Sequence, residues 1–285
     1  MFEIVGIYTK PLKKRSPEKI FELLRFLEKR RVKYFIDEQT SRSIKSKKNL
    51  VKGEEIPSLV ELIIVLGGDG TMLSVARKVG NRDTPVIGIN FGYLGFLTQI
   101  KLERMTEELK RVFDGNFRYE NRMRLEAEVL KSDGEIKRFT ALNDVVINKG
   151  TLARIIDFET YVDGGFLSYF RADGLIISTP TGSTAYNLSS GGPIIVPEHK
   201  SFILTPICPH TLTNRPVVLS PNSSIEVFLK NGENVMLTVD GQVGVALSSG
   251  DKIRVKKSPY PLILVVPNDL NFFDVLREKL KWGER

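Results

Sequence analysis

The sequence predicts an α/β N-terminal domain with a parallel sheet, followed by a β-rich C-terminal domain. Three observations carry this expectation. Through residue 113 the chain alternates apolar, β-branched runs with stretches of helical apolar spacing, the pattern of successive βα units. Residues 62–66 and 85–90 read as strands buried on both faces, as a helix-covered parallel sheet requires. Beyond about residue 117 the pattern changes to many short strands parted by turn signals: Asp133-Gly134 separates 125–130 from 136–142, and Asp163-Gly164 separates 158–162 from 166–170.

The elements follow in order. Residues 2–8 open as a strand. Ser16-Pro17 supplies an N-cap and a first-turn proline, and Ile20, Leu23, Leu24 and Leu27 follow at helical spacing. Residues 32–36 return as a strand. Residues 37–58 are polar and charged with little periodicity and read as a loop. The strand at 62–66 runs into a glycine-rich turn, a helix over about 71–79, the strand at 85–90 and an amphipathic helix over 102–113. Segments 224–229, 235–239, 252–256 and 262–266 continue the β-rich part. Phe272, Val275, Leu276 and Leu280 give 271–282 a helical period. The domains are set at 1–115 and 116–266, with 267–285 packing back on the first.

With 285 residues, 41% hydrophobic and 27% charged, the chain can bury a full core, which excludes a disordered or fibrous protein. No apolar run approaches the roughly 20 residues of a membrane span. The start, MFEIVGIYTK, carries an acid at position 3 and no basic-then-apolar leader, so the expected location is cytoplasmic, with no membrane partner. A single cysteine, Cys208, excludes an intrachain disulfide. Cys208-Pro209-His210 is read as a buried thiol beside a surface histidine and not as a metal site. The net charge of +8 suits anionic ligands. Its densest runs, Lys13-Lys14-Arg15 and Lys45, Lys47, Lys48 and Lys52, lack interleaved aromatics and read as solvated loops, so no nucleic-acid partner is expected.

Four motifs carry chemistry. Gly67-Gly68-Asp69-Gly70-Thr71 lies between a buried strand and a helix, where α/β sheets place ligands. Glycines there allow a sharp turn and close approach to a phosphate, and the helix N-terminus favours an anion. No Gly-Lys dipeptide occurs, and Leu73 stands where a dinucleotide fingerprint needs its third glycine, so neither nucleotide loop fits. Asp69 inside the glycines makes sense if it binds Mg²⁺ or accepts a proton from a hydroxyl attacking a phosphate. The second motif runs from Asp173 to Tyr186 (DGLIISTPTGSTAY) and on through Ser189, a strand entering a dense set of hydroxyls and small residues. Such a surface suits sugar hydroxyls and phosphates, with Tyr186 free to cover a ring. Asn143-Asp144, at the start of an apolar strand, can hold a ribose diol or an adenine edge. Asp240-Gly241-Gln242 reads equally well as a plain hairpin turn.

In this order and over some 175 residues, the four motifs resemble the ATP-NAD kinase family, within the superfamily that includes diacylglycerol kinases. The resemblance implies transfer of the terminal phosphate of ATP, or of polyphosphate in some members, to the 2′-hydroxyl of the adenosine ribose of NAD, giving NADP. It implies Asp69 as proton acceptor, with Gly70 in the same pocket and Gly67, Gly68, Gly70 and Thr71 forming the phosphate-donor turn. Asn143 and Asp144 are implied at the NAD ribose and Asp173 at the adenine. Thr184, Ala185, Tyr186, Asn187, Leu188 and Ser189 would form the rest of the NAD stretch, with Arg154, Arg171 and Gln242 nearby. Mg²⁺ or another divalent cation and a homodimer or homotetramer are implied as well. Two positions depart from the family pattern: Asp144 replaces a common Glu, one methylene shorter, and Ser74 stands where some members carry a base. A lipid kinase shares the glycine turn but needs an apolar pocket for acyl chains, which the hydroxyl-rich stretch argues against.

Overall fold

The computed structural model describes residues 2–10, 17–92, 94–150, 154–211 and 213–283. The Lys13-Lys14-Arg15 run and the Ser16 cap lie outside the described residues. Lys45, Lys47, Lys48 and Lys52 are exposed, as expected of solvated loops. Two compact units divide the chain, residues 1–121 with 262–285, and residues 122–261.

The first unit contains β1 (Ile4–Thr9), α1 (Pro17–Lys29), β2 (Lys33–Ile36), α2 (Glu38–Ile44), β3 (Leu62–Leu66), α3 (Asp69–Val79), β4 (Val86–Asn90), β5 (Ile100–Lys101), α4 (Met105–Phe113) and β6 (Phe117–Arg122). A C-terminal strand, Leu262–Pro267, and helix, Phe272–Leu280, complete it. The sheet order is β2-β1-β3-β4, then the C-terminal strand, then β6, with β5 pairing β4. The pairings β1–β2, β1–β3, β3–β4 and β4–C-terminal strand are all parallel. Every residue of β3 and β4 is buried, and α1 buries the predicted Ile20, Leu23, Leu24 and Leu27. Strand order reverses between β1 and β3, so a crevice opens beyond their carboxyl ends, at Lys10 and Gly67.

The units meet the chain at 121/122 and 261/262, where the sequence suggested 115/116 and 266/267. Both flanking strands read as members of the β-rich run, but they lie side by side in the first sheet. A second difference is α2, within the segment expected to be a loop. Asp37 caps it, accepting from the Thr40 N–H at 2.8 Å, and Lys45 ends it in the left-handed region at φ 53°. Its buried residues are Thr40, Ser41 and Ile44, so it has almost no apolar period to read.

The second unit contains β7 (Leu125–Leu130), β8 (Ile136–Ala141), β9 (Asp144–Lys149), β10 (Ile156–Val162), β11 (Gly165–Ala172), β12 (Gly174–Ser178), a one-turn α5 (Tyr186–Ser189), β13 (Phe202–Ile207), β14 (Val217–Leu219), β15 (Ile225–Asn231), β16 (Val235–Val239), β17 (Val243–Leu247) and β18 (Lys252–Lys257). They form two six-stranded antiparallel sheets, ordered β11-β10-β15-β18-β7-β8 and β14-β13-β12-β9-β16-β17. The two expected hairpins are present as β7–β8 and β10–β11. One core joins the sheets: Leu125, Val129, Phe158 and Val227 of the first meet Val145, Ile147, Ile177, Phe202 and Leu237 of the second. Cys208 is exposed, not buried, because the chain leaves β13 there in the left-handed region, at φ 45°.

Candidate active site

In the first unit, β3 delivers the chain to the glycine turn at the sheet's switch point. A Cβ at Gly67 would fall 2.3 Å from Thr71 Oγ1, so only glycine permits this turn. Gly68 is the extended N-cap of α3, which starts at Asp69, two residues earlier than its apolar spacing suggested. Asp69 therefore stands in the first helical turn, where the Thr71 and Met72 N–H groups close on the Gly68 carbonyl at 2.9 and 3.2 Å. Gly70 is exposed and Thr71 half-buried. Gly70, Thr71 and Ser74 line a cleft of about 440 Å³ together with Lys10, Arg42, Lys78, Asp37 and Glu38.

The Asp69 carboxylate is held by the loop after β4. Its Oδ1 accepts from the N–H groups of Leu97 (3.0 Å) and Thr98 (3.1 Å) and from Thr98 Oγ1 (3.0 Å). Its Oδ2 accepts, among the described residues, from the Phe96 N–H alone, at 2.9 Å. Gly95 is a necessity of this grip, since a Cβ there would sit 2.1 Å from Asp69 Oδ1. Asn90 braces the loop, donating to Thr98 Oγ1 at 2.7 Å and accepting from the Gly92 N–H at 2.8 Å. Sequence reasoning missed this segment. Its signal was Asn90-Phe91-Gly92 and Gly95-Phe96 directly after a buried strand, two glycines where the chain must approach another backbone.

In the second unit, Asn143-Asp144 and the hydroxyl-rich loop interlock. The Asn143 carbonyl accepts from the Thr179 N–H (2.8 Å) and Ser178 Oγ (3.2 Å), and Thr179 Oγ1 donates to the Leu142 carbonyl at 2.6 Å. Gly182 fits only without a side chain, because its Cβ would lie 2.1 Å from the Asn143 carbonyl oxygen. Much of the hydroxyl density is thus internal bracing. Ser178, Thr179, Thr181 and Ser183 are buried, and Ser183 Oγ donates to the Pro180 carbonyl at 2.6 Å while accepting from the Ile195 N–H. Asn187 also turns inward: its amide donates to the Ser183 and Pro193 carbonyls and its oxygen accepts from Thr205 Oγ1 at 2.7 Å. Tyr186 and Ser189 are exposed, and Thr184, Ala185 and Leu188 half-buried. Those five keep solvent-accessible surface, while Asn187 shapes the turn.

Asp144 is 4% exposed, and burial, reinforced by the neighbouring Asp240 charge, pushes its carboxyl up to about 7. Among the described residues the buried Asn143 Oδ1 has no hydrogen-bond partner. The structure does not bring Arg154, Arg171 and Asp173 to this end. Asp173 precedes β12, whose five residues separate it from Thr179 by roughly 20 Å of strand rise. It pairs there with Lys149 Nζ at 3.0 Å, while Arg154 and Arg171 are exposed. Gln242 lies in the β16–β17 turn, its N–H donating to the Val239 carbonyl at 3.0 Å.

The Asp144 environment gives a stability prediction. An acid whose folded-state pKa is raised binds its proton more tightly in the folded than in the unfolded chain. Stability therefore falls as pH rises from about 4 to about 7, and the full cost stands above that. Asp144→Asn should melt higher than the parent at pH 8, by a few kcal/mol at most, with the gain gone at pH 4. Thermal melts at the two pH values check this, and an equal difference at both would contradict it.

Comparison with known proteins matches both units. Residues 5–117 match the ATP-NAD kinase N-terminal domain and residues 142–266 the ATP-NAD kinase C-terminal domain. The NAD kinase of Solibacter usitatus is 46% identical over 286 aligned residues, covering 100% of this chain and 99% of that protein. The NAD kinase of Geotalea daltonii is 52% identical over 235 residues, 82% of this chain and 83% of the relative. Among solved structures, yeast NADH kinase complexed with NADH superposes with a TM-score of 0.92 at 28% identity, covering 99% of this chain and 89% of the other. An NAD kinase from Archaeoglobus fulgidus in complex with ATP gives 0.79 at 28% identity, covering 98% of this chain and 100% of the other. With family matches in both units and near-complete relatives at this identity, the chain belongs to the ATP-NAD kinase family.

Proposed function

We infer that this protein is an NAD kinase, a phosphotransferase that moves the terminal phosphate of ATP to the 2′-hydroxyl of the adenosine ribose of NAD and so makes NADP. The observation that carries the reading is the Asp69 carboxylate, fixed by four donors beside a glycine turn at the switch point of a parallel sheet. Phosphoryl transfer needs mainly positioning and charge stabilisation. The 2′-oxygen attacks the terminal phosphorus, the bond from that phosphorus to the bridging oxygen breaks, and ADP leaves. The hydroxyl proton passes to Asp69. Oδ2 is the receiving atom, because among the described residues Oδ1 accepts three hydrogen bonds and Oδ2 one.

The turn at Gly70 and Thr71, with Lys10 and Arg42 lining the same cleft, would take the donor phosphates. Among the described residues no cluster of three or more His, Cys, Asp or Glu side chains forms a cage for a metal. A divalent cation such as Mg²⁺ would therefore arrive on the phosphates of ATP, offsetting their charge, and not in a protein cage. Asn143 and Asp144 would hold the ribose, and Thr184, Ala185, Tyr186, Leu188 and Ser189 the adjoining dinucleotide, with Gln242 nearby. Asp173, Arg154 and Arg171 are proposed for the adenine end. Their separation from Asn143 by the length of β12 exceeds one nucleoside, which supports a homodimer or homotetramer whose copies share the dinucleotide. No helix among the described residues is long and apolar enough to cross a membrane. We place the enzyme in the cytoplasm, where ATP and NAD are supplied.

The test is direct. Purified protein with NAD, ATP and Mg²⁺ should form NADP, read by an NADP-specific dehydrogenase, with polyphosphate in parallel reactions. No NADP from folded protein with either donor would overturn the reading.

A further inference from the structure

The Asp240-Gly241 pair could be an ordinary hairpin turn, and its backbone is one. Asp240 and Gly241 occupy left-handed positions at φ 51° and 61°, and the Gln242 N–H closes on the Val239 carbonyl at 3.0 Å. The side chain does something a turn does not need. An aspartate in such a turn usually points to solvent or bonds locally, yet Asp240 is 7% exposed and reaches across about a hundred residues of sequence. Its Oδ1 accepts from the N–H groups of Leu142 (3.1 Å), Asn143 (2.7 Å) and Asp144 (3.3 Å), and its Oδ2 also accepts from Leu142 (3.1 Å). The Asp240 N–H donates in turn to the Asp144 carbonyl at 3.0 Å. Three consecutive amides thus converge on one carboxylate where the chain crosses from the β8 sheet to the β9 sheet.

This arrangement costs a buried charge, and the fold answers it with another. Arg124 is 2% exposed, and the Asp240 charge acts on it against the desolvation that pushes the guanidinium down. An asparagine at 240 could not replace the aspartate here, since its NH₂ would face an N–H where the carboxylate turns a second oxygen. What the carboxylate fixes is the backbone from which the Asn143 and Asp144 side chains project.

We propose that Asp240, balanced by Arg124, is a positioning residue for NAD: it sets the pose of Asn143 and Asp144 at the ribose without touching substrate itself. The inference rests on the NAD kinase reading and goes beyond it. Asp240 is also the charge that faces Asp144. The register neighbours of the Asp144 segment on the flanking strands, Ser178 of β12 and Val239 of β16, bring none. Removing it must therefore move the Asp144 titration to lower pH.

The experiment compares wild type, Asp240→Asn, and Asp240→Asn combined with Arg124→Met, which also removes the buried cation on which the Asp240 charge acts. In the folded variants KM for NAD should rise roughly tenfold or more while kcat and KM for ATP stay within about threefold, as loss of ground-state positioning predicts. The pH dependence of kcat/KM for NAD should shift towards acid. In substrate-free wild type the amide hydrogens of 142–144 should exchange slowly. An unchanged KM and pH profile in a folded variant, or fast exchange of those amides in wild type, would overturn the proposal. Wild type that makes no NADP would overturn the NAD kinase reading instead.

Discussion

Asp69→Asn is expected to lower kcat by roughly 10²–10⁴, with the protein still folded. The loss has two sources, both in the geometry. The amide cannot take the hydroxyl proton, and its NH₂ must face either the Phe96 N–H or the three donors now on Oδ1. The 96–98 loop would then shift, and a thermal melt should register a smaller loss from its broken hydrogen bonds, on the order of 1–3 kcal/mol. Steady-state kinetics with saturating NAD and ATP separate the two. A base acts in the transition state, so kcat should fall with little change in KM for either substrate. A variant retaining more than about a tenth of wild-type kcat would remove Asp69 from the role of base.

Gly182→Ala should be the most damaging small substitution in the second unit. The new methyl would sit 2.1 Å from the Asn143 carbonyl oxygen, 2.5 Å from the carbonyl carbon and 2.6 Å from Ser178 Oγ. Two of these are backbone atoms, so relief requires the 142–144 segment or the 179–183 turn to move. Overpacking of this kind costs about 1–3 kcal/mol, and the hydrogen bonds from Thr179 to the Asn143 and Leu142 carbonyls would weaken with it. KM for NAD should rise by tenfold or more while KM for ATP stays put, and Tm should drop by several degrees. Wild-type KM and Tm in this variant would show that the contact does not constrain the site.

The sequence made visible those parts of the site that follow a local rule. Strand, glycine turn and helix announced Asp69, because only glycine closes the Gly67 turn against Thr71 and the flanking runs are long and apolar. The β7–β8 and β10–β11 hairpins were legible from Asp-Gly pairs between apolar runs. What escaped depended on contacts far apart in sequence. The 90–98 loop carries no chemistry of its own and matters only because its amides converge on Asp69. Helix α2 was hidden because its buried face is threonine, serine and a single isoleucine. The strands at 117–122 and 262–267 share the β-rich composition of the second unit but pair in the first sheet, a choice fixed by topology. Hydroxyls in 178–189 read as a ligand surface, yet Ser178, Thr179 and Ser183 brace the loop from within. Asp240 looked like turn chemistry because its partners lie near residue 143.

The most direct measurement is a single turnover with excess enzyme, NAD and ATP labelled in the terminal phosphate, with the product resolved by position of the phosphate. Label on the 2′-oxygen of the NAD adenosine ribose is expected with wild type, and a rate lower by at least a hundredfold with Asp69→Asn. Label at any other position, or equal rates for the two proteins, would contradict the assignment of this chain's chemistry to Asp69 and the 2′-hydroxyl.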